Sequence, residues 1–262
     1  MVNFMLKLAK GFYMALGMFW AVPLPFHVWD EKLTAVMIAS FPLVGALIGA
    51  VWWAAGLLLV MLELPVMLAA AILTLAPFFV AGFIHLDGYM DTSDAHLSRR
   101  PLEDKLRILK DPHVGAFAVI MVAVLFLLQF AAVYTVVDGG RYFALVIAVC
   151  VLSRSCSALS IFVLHHMPQS NYAAMLGEKT GILPKIFIVI AGAGAVAFAF
   201  LYAGAFGLIA SAAVILGYAW AMRPVYKGFG GASGDLLGYS QVRGELCGLI
   251  ALALLQGVER WF

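Results

Sequence analysis

Seven long apolar runs divide this chain, at residues 33–61, 65–84, 114–137, 142–165, 184–202, 205–222 and 240–258. About 20 such residues are what a helix needs to cross roughly 30 Å of hydrocarbon. Inside a bilayer no water is available to backbone groups, so only helices and closed barrels can cross. A barrel would alternate in segments of about 10 residues, and these runs do not. The chain is 65% hydrophobic and only 11% charged, against about 45–50% and about 25% in soluble domains. The expectation is an all-α, polytopic integral membrane helix bundle of about seven transmembrane helices, forming one domain over 1–262. Pro42 and Pro77 fall inside runs and are expected to kink them. Residues 2–22, with Lys7 and Lys10, read as a retained interfacial or re-entrant segment, since AVPLP is a poor signal-cleavage site.

Charge placement orients the bundle. Thirteen of the 16 Lys and Arg residues fall on one side, among them Lys7, Lys10, Lys32, Arg99, Arg100, Lys105, Arg107, Lys110, Lys179, Arg223 and Arg243. The other side has only Arg141 and Arg260, and Arg154 lies within a run. By the positive-inside rule the crowded side is cytoplasmic. Every long connector is also there, so chemistry is expected at the cytoplasmic face of a bacterial or archaeal inner membrane. Cys150, Cys156 and Cys247 lie in apolar runs without metal-site spacing and read as small buried hydrophobes.

The segment HLDGYMDTSDAH, 85–96, follows an uncharged run. If the helix continues through it, Asp87, Asp91 and Asp94 stand at i, i+4 and i+7 on one face. Like charges at an apolar boundary oppose one another's ionisation, so a cation is expected to share the face. Mg²⁺ fits, because a few carboxylates hold it while substrate phosphates and water complete its shell. Gly88 reads as a gap where a phosphate could approach. Downstream, 99–117 reads as a short amphipathic surface helix touching lipid, broken at Lys110-Asp111-Pro112-His113. Lys110 is a candidate phosphate contact and Asp111 a further metal ligand.

Arg154 is the basic residue well inside a span. Such a residue normally faces a polar cavity or an acidic partner, and phosphate binding is the reading preferred here. FGGASGDLLG, 229–238, reads as a Gly-rich turn in which Asp235 is a polar anchor, with Glu245 pointing to the same place. Two function classes are open: a Mg²⁺-dependent membrane transferase acting on a phosphate or pyrophosphate ester, and a transporter. A transporter is expected to carry its polar residues near mid-membrane, whereas these cluster at one face.

The run His85-Leu-Asp87-Gly88-Tyr-Met-Asp91-Thr-Ser-Asp94 resembles the motif of the cobalamin synthase (adenosylcobinamide-GDP ribazoletransferase) family. So do Ile108-Leu-Lys110-Asp111-Pro-His-Val-Gly115-Ala-Phe117, Phe41-Pro42-Leu-Val-Gly45 with Gly49, and Gly230-Gly231-Ala-Ser-Gly234-Asp235 with Gly238 and Glu245. The motifs keep the family's order over about 200 residues, although Ala95 and Pro112 depart from it. The resemblance implies a late step of vitamin B12 assembly. α-Ribazole, or its 5′-phosphate, is joined to adenosylcobinamide-GDP with release of GMP and with Mg²⁺ as cofactor. For such a reaction the residues themselves suggest Asp87 and Asp91 on the metal, Asp94 as ligand or general base, and His85 as a second candidate base. Lys110 and Arg154 would hold the pyrophosphate, while Asp111 and Asp235 would complete the metal shell or bind a sugar. Small molecules, lipid and other membrane enzymes of the pathway are the expected partners, and nucleic acid is not. CDP-alcohol phosphotransferases, with a related Asp-Gly-x-x-x-Asp-x-x-Asp pattern, are the alternative.

Overall fold

The computed structural model describes residues 2–168, 170 and 181–259. The basic residues Lys179 and Arg260, used above for orientation, lie outside them. Among the described residues the fold is all-helical. It comprises α1 (Val2–Phe19), α2 (Thr34–Ala39), α3 (Phe41–Met61), α4 (Val66–Val80), α5 (Ile84–Leu97) and α6 (Leu102–Ile108). There follow α7 (Ala116–Gly139), α8 (Val146–Val163), α9 (Ile182–Ala203), α10 (Ala205–Phe229) and α11 (Gly234–Glu259). Among the described residues six helices are long and apolar enough to cross a membrane, or up to seven with the bent α4–α5 pair. The bundle is therefore a multi-pass membrane protein.

Short turns at 62–65, 140–142 and 204 join helices at one face, here the turn face; the longer connectors gather at the opposite, loop face. α1 is one uninterrupted helix rather than a re-entrant segment. It packs on α2 and α3 through Met14, Ala15 and Phe19, and Lys10 Nζ pairs with Asp30 at 3.0 Å. The run 33–61 is divided at Ser40, where α2 ends and α3 begins, so Pro42 sits in the first turn of α3, where its missing N–H costs nothing.

The helix begun at Val66 does not continue through the acidic segment. Gly82 and Phe83 take left-handed φ values of +70° and +62°, and the chain turns through 93° between α4 and α5. Pro77 has no N–H for the turn before it, which weakens the end of α4. The last two runs are longer than the hydropathy marks them. α10 continues to Phe229, and α11 begins at Gly234, so Asp235 is in a helical first turn rather than in a loop.

The centre of the bundle is α8 and α11. α8 buries twelve of its side chains, including Val149, Ser153, Arg154 and Ser157. The outward faces of α3, α4, α7, α9 and α10 expose Leu58, Leu68, Leu127, Leu201 and Leu216, as helices in lipid should. α3 crosses α8 closely. A Cβ on Gly45 would lie 2.5 Å from the Cys150 carbonyl oxygen, and one on Gly49 would lie 2.6 Å from Ile147 Cα. Small residues at this spacing let membrane helices touch along their backbones.

Gly49→Val should therefore separate α3 from α8 and cost about 1–3 kcal/mol. The check is a lowered unfolding midpoint in detergent, with Gly194→Ala, which meets nothing within 4 Å, as the neutral control.

Candidate active site

α5, at 14 residues too short to cross a membrane by itself, lies across the loop-face ends of three other helices. The His85 ring meets Phe41 at the start of α3, with centroids 5.6 Å apart. Gly88 meets Asp235 at the start of α11. The Asp94 carboxylate reaches the start of α7, where Oδ1 accepts the Phe117 N–H at 3.2 Å. The 93° bend is what makes this possible, because a straight continuation of α4 would carry these residues away from all three helix ends.

The predicted spacing survives on α5, and Asp87, Asp91 and Asp94 share one face. Asp87 is exposed, and Asp91 and Asp94 are half-buried. Burial, then the neighbouring charges of Asp87, Asp235 and Asp94, push the Asp91 carboxyl up to about 6. The fourth carboxylate of the face is thus Asp235, brought from 141 residues further along the chain by the α5–α11 crossing. Ser233 begins that helix, its Oγ accepting the Leu236 N–H at 3.4 Å.

Two glycines hold the acidic face together. A Cβ on Gly88 would sit 2.8 Å from Asp235 Cα and 3.0 Å from its carbonyl oxygen. The space expected to admit a phosphate is filled by α11 itself, and Gly88 is buried. A Cβ on Gly115 would overlap the Asp94 carboxylate. Gly115 thus lets Asp94 cap α7, where a carboxylate also meets the positive end of the helix dipole. One Asp94 oxygen is committed to that cap.

The remaining candidates fall elsewhere. Asp111 and Lys110 are exposed on the α6–α7 connector. Asp111 Oδ1 accepts the His113 N–H at 3.0 Å and pairs with His113 Nδ1 at 2.7 Å. The His113 backbone donor, followed by its ring, holds the Asp111 carboxyl below the usual range. The charges on Asp91 come from Asp87, Asp235 and Asp94 instead. His85 packs against Phe19 and Phe41 and lines a cavity with Asp235, on a side of α5 away from the three carboxylates.

Arg154 is 1% exposed and gives its charge to Glu245, with Nη1 donating to Oε1 at 2.7 Å. The same oxygen accepts from Ser153 Oγ at 2.7 Å and Gln241 Nε2 at 3.3 Å, and Ser157 Oγ donates to Gln241 Oε1 at 3.2 Å. This polar ladder bonds α8 to α11 inside the bundle. Arg154 is a structural ion pair in this arrangement, with no open side for a phosphate.

Three residues near α5 gave no signal as site candidates in the sequence. Lys105 on α6 and Arg243 on α11 both act on half-buried His96, whose pKa burial lowers first and these two charges lower further. Arg243 also lies over the Trp220 and Tyr239 rings, 4.9 and 5.6 Å from their centroids. Its position in the third turn of α11 is deeper than the loop-side residue that charge counting made it.

Among the described residues no three His, Cys, Asp or Glu side chains converge closely enough to form a closed metal cage. Mg²⁺ does not need one. It is commonly held by one or two carboxylates, with water and substrate phosphate as the other ligands. A half-buried carboxylate within electrostatic reach of three more fits that open type of site.

Comparison with known proteins follows the same residues. The cobalamin-5-phosphate synthase family profile matches residues 11–253. The adenosylcobinamide-GDP ribazoletransferase of Clostridium perfringens (strain ATCC 13124) is 37% identical over 246 residues, 94% of this chain and 98% of that one. The protein of that name from Clostridium botulinum (strain Alaska E43) is 34% identical over 250 residues, 95% and 99% of the two chains. That from Lachnoclostridium phytofermentans is 33% identical over 259 residues, 97% of each. No solved structure matches.

Glu245→Ala should leave the Arg154 charge buried and unpaired, costing about 3–5 kcal/mol. The double change Arg154→Met with Glu245→Met should recover most of that loss, read as unfolding midpoints in detergent. At the acidic face, Gly115→Ala should displace Asp94 and cost about 1–3 kcal/mol. Asp94→Asn retains an acceptor for Phe117, so it should keep the wild-type midpoint.

Proposed function

This chain belongs to the cobalamin-5-phosphate synthase family, and we propose the following account of its reaction. It is a transferase of cobalamin biosynthesis that joins α-ribazole, or its 5′-phosphate, to the cobinamide phosphate of adenosylcobinamide-GDP. A secondary ribose hydroxyl, free in α-ribazole and in its 5′-phosphate alike, attacks the phosphorus that carries cobinamide. A new P–O bond forms, the P–O bond to the guanylate breaks, and GMP leaves. The products are adenosylcobalamin or its 5′-phosphate. The observation that carries this reading is the acidic face of Asp87, Asp91, Asp94 and Asp235 at one end of the bundle, in a chain of this family.

Asp87 and Asp91 would hold Mg²⁺, with Asp235 and Asp94 beside them. When bound, the ion supplies charge neutralisation to the pyrophosphate. The chain's own contribution is position and charge. α5 is fixed at three points, so the carboxylates do not reorganise when substrate arrives, and this is where much of an enzyme's advantage lies. Asp94, held through one oxygen, can accept the proton of the attacking hydroxyl through the other. Lys105 and Arg243 are the cations best placed beside α5 to meet phosphate oxygens, a part earlier read onto Arg154. Lys110, on a free-standing connector, remains a candidate for the outer end of the dinucleotide.

The loop face is taken to be cytoplasmic because the basic residues gather there. Soluble, highly charged nucleotide substrates are then accessible without crossing the bilayer. Association with other membrane enzymes of the pathway would suit a product passed along the same surface.

The test is GMP release by purified protein given adenosylcobinamide-GDP and α-ribazole. Release should require Mg²⁺, stop in EDTA, and fall by about 10²–10³ in Asp87→Asn and Asp91→Asn, as expected for loss of a main electrostatic stabiliser. Unchanged turnover in EDTA, or in Asp91→Asn, would remove the metal assignment.

A further inference from the structure

A cavity of about 260 Å³ opens next to the acidic face, on the other side of Asp235. Phe19 and Phe41 form an aromatic wall, their ring centroids 4.2 Å apart and their planes tilted by 32°, and the His85 ring stands edge-on to Phe41. Ser157, Gln241 and Ser170 supply a polar rim. The turn that leads through Ser233 into the first turn of α11 is pinned under it by a short bridge, Met167 N–H to Ala232 O at 3.0 Å and Ala232 N–H to His165 O at 2.9 Å.

Two features point to a ligand of particular chemistry. First, among the described residues no Lys or Arg lines the cavity, and Asp235 is the charged group that does. A phosphate would be repelled, whereas a carboxylate accepts hydrogen bonds well from a pair of sugar hydroxyls. Second, His85 Nε2 and Ser170 Oγ, both on lining residues, are buried without a hydrogen-bond partner among the described residues. Buried polar groups are normally satisfied, and a ligand with ring nitrogens or hydroxyls would satisfy these. The aromatic wall suits a flat base, and the volume excludes a corrin.

We propose that this cavity is the acceptor subsite, holding the base and ribose of the nucleoside with its reacting ribose hydroxyl directed past Asp235 to the Asp87–Asp91–Asp94 face. This rests on the transferase reading above. Asp235 then serves both chambers, on the sugar from one side and within the acidic face from the other. His85 acts on the base as a binding residue. Its place against Phe41, away from Asp91, separates it from the proton transfer.

The experiment is calorimetric binding of α-ribazole to the full-length protein in nanodiscs, alongside steady-state kinetics, for the wild type, Ser157→Leu and His85→Gln. Ser157→Leu fills the cavity and should raise the Kd and KM for α-ribazole by about tenfold or more, leaving the KM for adenosylcobinamide-GDP unchanged. His85→Gln should raise the same constants by a smaller factor and tests the site even if the bulkier variant does not fold. GMP should not displace α-ribazole. Unchanged α-ribazole affinity in folded His85→Gln and Ser157→Leu would overturn the assignment. So would displacement by GMP, which would give the cavity to the guanosine end, or a rise in the KM for adenosylcobinamide-GDP instead. Absence of GMP release by the wild type with both substrates would defeat the transferase reading itself, while normal release with unaltered α-ribazole constants in both variants would defeat only the subsite.

Discussion

Four carboxylates gathered on one face at the edge of a hydrocarbon layer repel, and the rest of the bundle is arranged so that they stay on that face. α5 carries three of them and is anchored at three points, at His85 on α3, Gly88 on α11 and Asp94 on α7. Each anchor uses a helix beginning. These are the places in a membrane bundle where backbone N–H groups have no intrahelical partner, so a carboxylate there is favoured by the fold and still available to a cation. The bend after α4 is the device that lays α5 across those beginnings, with Phe83 in a left-handed conformation that a non-glycine residue adopts only under tertiary constraint.

Below this face the α8–α11 seam does a different job. Arg154, Glu245, Gln241, Ser153 and Ser157 are joined to one another in a chain of hydrogen bonds. A polar seam in a bundle of this kind sets the register of two central helices, because a slip of one residue would leave a charge unpaired in a medium where that is costly. Since α11 carries Asp235 at its first turn, the seam also sets where Asp235 meets Gly88. The same helix then divides the loop face into two chambers, an acidic one and an aromatic one, with Asp235 on the boundary.

The helical membrane architecture, the loop-rich basic face and the shared face of Asp87, Asp91 and Asp94 were legible in the sequence, because each depends on local spacing or hydropathy alone. The family was legible too, from motifs that are contiguous in the chain. The errors share one physical origin. Gly88 looked like an opening and Arg154 like a phosphate ligand because a sequence states what a side chain is and not what fills the space in front of it. Asp111 looked like a ligand for its depth, yet its partner is the adjacent His113. Residues such as Ser157 and Gln241, polar side chains inside apolar runs, carried a signal that could have marked the α8–α11 seam.

Hydropathy and helical periodicity, which act over a few residues, therefore decided that this chain crosses a membrane as a helix bundle and presents an acidic stripe at one end. The crossing of α5 over α11 and the folding of α4 back through 93° were decided only by packing among segments far apart in the chain. So were the choice of Asp235 as the fourth carboxylate and the cavity beside it. Those depend on which backbones can approach within van der Waals contact, a property of pairs of helices that no single stretch of residues contains.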